Sequence, residues 1–289
     1  MSDLTITFAA ASDVGHTRSV NEDAFQLTDL STAQTFDANP TEGKIDAGPG
    51  GALLALSDGM GGHAAGEVAS ALVLASVRKT LEANRSGAAE QRLEAAVRHA
   101  NADVIAAAQT KGQHGMGATL TAVLIDGANA YVAEVGDSRA YLSRSGRLKQ
   151  LTRDQSLVQM LVDAGVMSTD EAEDSPQKNI LLQAMGTDHE VHAAIAQVSL
   201  RRGDKLLLCS DGVSNAVSAD ELLDILSTNG PTPACTRMIQ LANDRGGLDN
   251  LTVVVAHFDG ARLSVPAFSE TVTATFAVIK DFGTPKTKS

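Results

Sequence analysis

The sequence contains no tryptophan, and aromatic residues make up 3% of it. Its core must therefore be assembled mostly from Ala, Val, Leu and Ile. Cysteine is equally scarce. Cys209 and Cys235 are the only two, too few for a disulfide framework, and both lie in apolar or helical context. No apolar run reaches the roughly 18 residues of a membrane-spanning helix, and residues 1–20 carry no signal-peptide core. The expectation is a soluble, cytoplasmic protein of a reducing compartment. No Lys/Arg block occurs, and the formal net charge is −12. The basic face of a nucleic-acid binder is missing, so neither nucleic acid nor membrane is expected as a partner. An acidic surplus suits a protein that holds cations, and equally one that is simply soluble.

What remains is an ordinary globular composition: 289 residues, 43% hydrophobic and 20% charged, enough to bury a large core. Apolar periodicity divides the chain. Short strands are expected at 4–12 and 24–28, and a buried strand at 51–57. Helices follow at 67–82 and 91–109. The second carries Leu93, Val97, Ala100 and Val104 on one stripe. Strands at 118–125, 129–135 and 139–143 come next, the first two joined by an Asp126-Gly127 turn. A helix at 156–165 ends at Gly165. Strands at 193–200 and 205–210 precede helices at 219–227 and 233–244, the latter just past Pro231, and a last strand at 251–258. Two strand clusters, each beside a helix pair, imply an α+β fold: a four-layer α-β-β-α sandwich of two mainly antiparallel sheets. Residues 29–50 read as a long loop, 166–190 as a mobile polar surface segment, and 261–289 as a polar tail after a domain covering 1–260.

Chemistry concentrates at strand ends. Ser57-Asp58-Gly59, Gly136-Asp137-Ser138, Ser210-Asp211-Gly212 and Asp249-Asn250 each border an apolar strand, and Glu22-Asp23 precedes another. A single Asp-Gly is most often just a turn. Four such ends together can aim carboxylates at one point, where their repulsion raises their pKa values unless cations intervene. Oxygen donors select Mg²⁺, Mn²⁺ or Ca²⁺, and the seven histidines show no paired spacing for zinc. Gly59-x-Gly61-x-x-Ala64 loosely fits a dinucleotide loop, but Asp58 would oppose a pyrophosphate and the βαβ context is absent. No Gly-x-x-x-x-Gly-Lys loop exists. Neither cysteine has an Arg six positions on, against a phosphocysteine route.

The ordered set Ser12-Asp13-Val14-Gly15, Arg18, Asn21-Glu22-Asp23, Asp58-Gly59-Met60-Gly61-Gly62-His63, Gly115-Met116-Gly117-Ala118-Thr119, Gly136-Asp137-Ser138-Arg139, Leu151-Thr152-Arg153-Asp154-Gln155-Ser156, Ser210-Asp211-Gly212 and Asp249-Asn250-Leu251-Thr252 resembles the PPM (type 2C) protein phosphatase family in its bacterial form. The resemblance implies that Asp23, Asp58, Asp211 and Asp249, with the Gly59 carbonyl, bind two core Mn²⁺ or Mg²⁺ ions. It further implies that Asp137 binds a third, weaker ion and that Arg18 grips the phosphate. Three departures stand out: the longer 29–50 segment, Ala118 where a second Thr is common, and Gln155 where His or Asp is more usual.

The implied activity is hydrolysis of phosphoserine and phosphothreonine by a water acidified between two cations. His63 is the candidate general acid; a helix-entry histidine touching backbone or solvent is its plain alternative. Phosphorylated proteins and a cognate Ser/Thr kinase are the expected partners of a monomer. The segment 154–190 occupies the place of the family's flap and is expected to help choose the substrate. A small-phosphoester phosphatase and a non-catalytic phosphoprotein scaffold are the competing readings; a scaffold would tolerate loss of the metal aspartates, and here every position is filled.

Overall fold

The computed structural model describes residues 3–61, 64–109 and 115–282. Along the chain come β1 (Thr5–Asp13), β2 (Asp23–Asp29), β3 (Gln34–Phe36), β4 (Thr41–Asp46) and β5 (Ala52–Met60), then α1 (Ala64–Ala83) and α2 (Ala89–Ala108). They are followed by β6 (Gly117–Ala118), β7 (Leu120–Asp126), β8 (Asn129–Val135), β9 (Arg139–Arg144), β10 (Arg147–Gln150), α3 (Leu157–Asp163) and α4 (Thr169–Glu173). The last third holds β11 (Ala194–Ser199), β12 (Lys205–Cys209), α5 (Asp211–Ser214), α6 (Ala219–Thr228), α7 (Pro231–Asp244), β13 (Leu251–Asp259) and β14 (Phe276–Lys280).

The strands form two antiparallel sheets, β10-β9-β12-β13-β1-β4 and β14-β11-β8-β7-β5-β2-β3, with β6 paired to β5. The expected sandwich follows from strands that are apolar on both faces. In β5, Leu54 and Leu56 face the other sheet alongside Phe8, Val123 and Val254. Leu53 and Ala55 face the opposite way, onto Val73 and Val77 of α1 and Leu93 and Val97 of α2. In β13, Val254 points inward while Val253 and Val255 meet Leu222, Leu226 and Met238 of α6 and α7. Alternation by two along each strand thus builds three apolar layers between four structural ones. Both cysteines are buried and free.

Three segments differ from the sequence reading. Residues 29–50 are not one loop: β3 pairs with β2 and β4 pairs with β1 along six residues. The segment 166–190 contains the short helix α4, started by a reciprocal cap between Ser168 and Glu171. The stretch expected as a tail supplies β14, which adds to β11 at the sheet edge. Arg144 fastens it there. Its fully buried guanidinium donates to both Asp204 oxygens at 2.8 and 2.7 Å and to Thr275 Oγ1 at 2.8 Å, and Glu270 lies 3.4 Å away. Among the described residues no helix is long and apolar enough to cross a membrane.

Candidate active site

Register gathers the first two acids. Asp23 opens β2, Asp58 lies near the end of β5, and the antiparallel pairing sets them opposite one another. Asp137 follows β8, Asp211 opens α5 just past β12, and Asp249 precedes β13. A cleft of about 410 Å³ is lined by Arg18, Glu22, Asp58, Gly59, Asp137, Asp211 and Asp249, with Asn179 and Leu181 from the segment after α4. Asp23 instead lines a second groove of about 520 Å³ that includes β2 and α1 residues. Both its carboxylate oxygens are buried and have no hydrogen-bond partner among the described residues.

Crowding of like charge in a dry site shows in the acids themselves. Burial pushes the Asp23 carboxyl up to about 7; the Ser210 and Thr252 hydroxyls oppose this and the charges of Asp211 and Asp249 add to it. Asp58 is held well above the usual carboxylate range by burial, then by Asp23, Asp211, Asp137 and Asp249. Burial and Asp211 do the same to Asp137. Asp211 rises to about 6 through burial and Asp249, against the Gly212 N–H and Arg18. Arg18 donates to Asp249 Oδ2 at 2.8 Å, and its side chain is 54% exposed at the cleft.

The backbone around these acids is held by side chains from distant segments. A Cβ on Gly59 would stand 2.1 Å from the Gly66 carbonyl and 2.7 Å from that of Glu22, so only glycine permits this approach. The Asp58 N–H donates to Thr119 Oγ1 at 2.9 Å, and the Thr119 N–H donates back to the Asp58 carbonyl at 2.8 Å. Thr119 also packs under Gly136, where φ is +111° and an added Cβ would meet its methyl at 2.6 Å. Asn250 donates to the carbonyls of Val14 and Val20, both at 3.0 Å, and accepts the Glu22 N–H at 2.8 Å, tying down the loop that carries Arg18. Buried Gln155 accepts the Gly136 N–H at 2.9 Å, donates to the Glu134 carbonyl at 3.1 Å, and accepts from Gln183 at 2.7 Å. Thr119, Asn250 and Gln155 appear in the sequence motifs, yet nothing in spacing assigns them these tasks.

The structure thus brings Arg18, Asp58, Gly59, Asp137, Asp211 and Asp249 to one cleft and joins Asp23 to them through the rung with Asp58. His63 lies outside the described residues. Among the described residues no three acid, histidine or cysteine side chains stand in an arrangement that would grip an ion as they are. The donor chemistry nevertheless fits divalent cations: oxygen donors only, four carboxyls raised by burial and mutual repulsion, and two orphaned oxygens on Asp23.

Comparison with known proteins agrees with this chemistry. Residues 42–254 match the family model described as protein phosphatase 2C. The serine/threonine protein phosphatase PstP of Mycobacterium tuberculosis is 40% identical over 254 residues, covering 88% of this chain and 45% of that protein. The chain therefore aligns with less than half of that relative's length. Protein phosphatase PhpP of Streptococcus pneumoniae is 34% identical over 233 residues, 79% of this chain and 94% of PhpP. The solved catalytic domain of PstP in complex with two manganese ions superposes with a TM-score of 0.73 at 38% identity, covering 89% of this chain and 99% of that one. With its acid-lined cleft, its two-sheet sandwich and a match over most of its length, the chain belongs to the protein phosphatase 2C family.

Proposed function

We propose that this chain hydrolyses phosphoserine and phosphothreonine in proteins, with Mn²⁺ or Mg²⁺ held by Asp23, Asp58, the Gly59 carbonyl, Asp211 and Asp249, and a third, weaker ion held by Asp137. The observation that carries this reading is the gathering of five strand-end aspartates beside a cleft that also presents Arg18. The named relatives, and the solved one holding two manganese ions, support it.

When bound, two such ions neutralise phosphate charge and lower the pKa of a water toward about 7. The chain's own groups do the positioning. Arg18 presents a planar fork matched to two phosphate oxygens, and its contact with Asp249 holds that fork at the cleft. Asn250 and Thr119 fix the backbone on either side, so the acids and Arg18 stand in a set geometry around the place of the phosphate. His63 is the proposed general acid for the leaving seryl or threonyl oxygen. Asn179 and Leu181 belong to the flap segment and line the cleft, which suits a role for that segment in choosing among phosphoproteins. A cognate Ser/Thr kinase supplies the substrates, and the chain acts as a cytoplasmic monomer.

The test is release of phosphate from a phosphothreonine peptide with and without Mn²⁺, beside a phosphotyrosine control and an EDTA-treated sample. The expected result is a metal-dependent rate on phosphothreonine alone. A full rate in rigorously metal-free protein, or a preference for phosphotyrosine, overturns the proposal.

A further inference from the structure

Residues 174–193 join α4 to β11 and form part of the wall of the acid cleft through Asn179 and Leu181. Two isolated bridges fasten this stretch, Leu181 opposite Ser156 and Met185 opposite Ala118. At the first, the Leu157 N–H donates to the Ile180 carbonyl and the Leu182 N–H to the Gln155 carbonyl, both at 2.8 Å. A ladder of one rung fixes little by itself, so the wall needs further support to stand at a set distance from the acids.

Gln183 supplies it. Its Nε2 donates to Gln155 Oε1 and to the His192 carbonyl, both at 2.7 Å, and its Oε1 accepts the His192 N–H at 3.0 Å. His192 leads into β11, so one side of the amide is tied to the sheet. The other side meets the same Gln155 oxygen that accepts the Gly136 N–H at 2.9 Å, and Gly136 directly precedes Asp137. A continuous line of contacts therefore runs from the cleft wall, through Gln183 and Gln155, to the loop of the aspartate proposed for the third ion.

Gln183 is half-buried. Water can replace its hydrogen bonds when the amide is removed, so the cost to global stability is small and the loss falls on local order. Gln155 is placed differently. Without Gln183 it still accepts the Gly136 N–H and donates to the Glu134 carbonyl at 3.1 Å. The Asp137 loop keeps its shape, and only the wall is released. A substrate long enough to touch the wall feels that release, whereas one that fills only the phosphate end does not.

Given the phosphoprotein phosphatase reading, on which this rests, we propose that Gln183 is a positioning residue: it holds the wall of Asn179 and Leu181 against the Asp137 loop, so that a phosphoprotein meets a preformed surface.

Gln183→Leu and wild type are compared in two ways. At saturating Mn²⁺, KM for a phosphothreonine peptide should rise about tenfold, while kcat/KM for p-nitrophenyl phosphate stays within about twofold. In the intact, EDTA-treated chain, amide hydrogen exchange at Leu182 should quicken about tenfold, while Gly136 stays within about threefold of wild type. Gln183→Lys returns a donor to Gln155 Oε1 and the His192 carbonyl and should bring the peptide KM back to within about threefold of wild type, a recovery that restored bulk alone does not produce. The exchange measurement needs neither metal nor turnover. A wild type inert on the phosphopeptide, which would refute the phosphatase reading, is thereby told apart from a Gln183 that positions nothing. Equal losses on both substrates, an unchanged peptide KM in Gln183→Leu, unchanged exchange at Leu182, or no recovery in Gln183→Lys would each overturn the proposal.

Discussion

Gln155→Leu replaces a side chain that is 1% exposed with one of similar volume and removes both ends of its amide. The Gly136 N–H then loses its acceptor at 2.9 Å, and Gly136 is buried. A stranded buried donor costs about 1–3 kcal/mol, and the lost hydrogen bond to the Glu134 carbonyl about 1 kcal/mol more, for a total of roughly 2–4 kcal/mol. Urea unfolding of metal-free protein measures this directly. Gln155→His restores a donor and an acceptor and should recover a good part of the loss. The substitution also reaches the site, because Gly136 directly precedes Asp137 and the Gln155 carbonyl receives the Leu182 N–H at 2.8 Å. With the clamp gone, the Mn²⁺ concentration for half-maximal activity should rise about tenfold, a shift of loosened second-layer support, while KM for p-nitrophenyl phosphate stays close to wild type. A stability loss under about 1 kcal/mol with an unchanged Mn²⁺ profile would refute the argument, since a buried N–H cannot lose its acceptor at no cost.

Asp249→Asn should lower kcat at least about a hundredfold at saturating Mn²⁺, because an amide is a poor ligand for a hard cation; circular dichroism should show the fold retained, and near-normal turnover would contradict the assignment. Asp204→Ala strands the fully buried Arg144 charge and should cost about 3–5 kcal/mol in urea unfolding; a cost below about 1 kcal/mol would mean that the Thr275 and Glu270 contacts suffice. His257 titrates at about 4, chiefly through burial and then through Lys205. The unfolded ring, near 6.5, binds more protons between those values, so its contribution is whole above pH ~6.5 and is lost as pH falls toward ~4. Because the ring is only half-buried, the full shift is discounted to about 1–2 kcal/mol. His257→Gln should flatten the difference in urea midpoint between pH 7 and pH 4.5 relative to wild type, and an equal slope in both proteins would exclude His257 as a source.

The parts legible in the sequence were those where one residue reports its own surroundings. The apolar run of β5 has to be buried on both faces, and aspartates at the ends of such runs have to converge once the strands pair. The parts that were not legible depend on partners far along the chain. β4 reads as a loop because Thr41, Gly43 and Lys44 suit a half-exposed edge and not a core strand. β14 is short, and Val278 and Ile279 are exposed, so only its pairing with β11 reveals it. Asn250 serves Val20 and Glu22, more than 200 positions away, through a side-chain amide, and no local pattern encodes that. Arg144 looks like any hairpin arginine until Asp204 and Thr275 enclose it.

The rung between Asp23 and Asp58 has an architectural corollary. The chain joining these strands turns at the opposite end of the ladder, where Asp29 pairs with Ala52, six residues or about 20 Å from the acids at ordinary strand rise. Length can therefore be added or removed in the exposed turns of this segment, at 32–33 and 37–38, without moving either carboxylate, provided β3 and β4 keep their pairings with β2 and β1. A slip of one residue between β2 and β5 is a different matter, because it turns every side chain of one strand to the other face. The turns on either side of β3 are thus places where lineages, or a protein engineer, can vary the molecule, while a frame shift of a single position between β2 and β5 dismantles the centre.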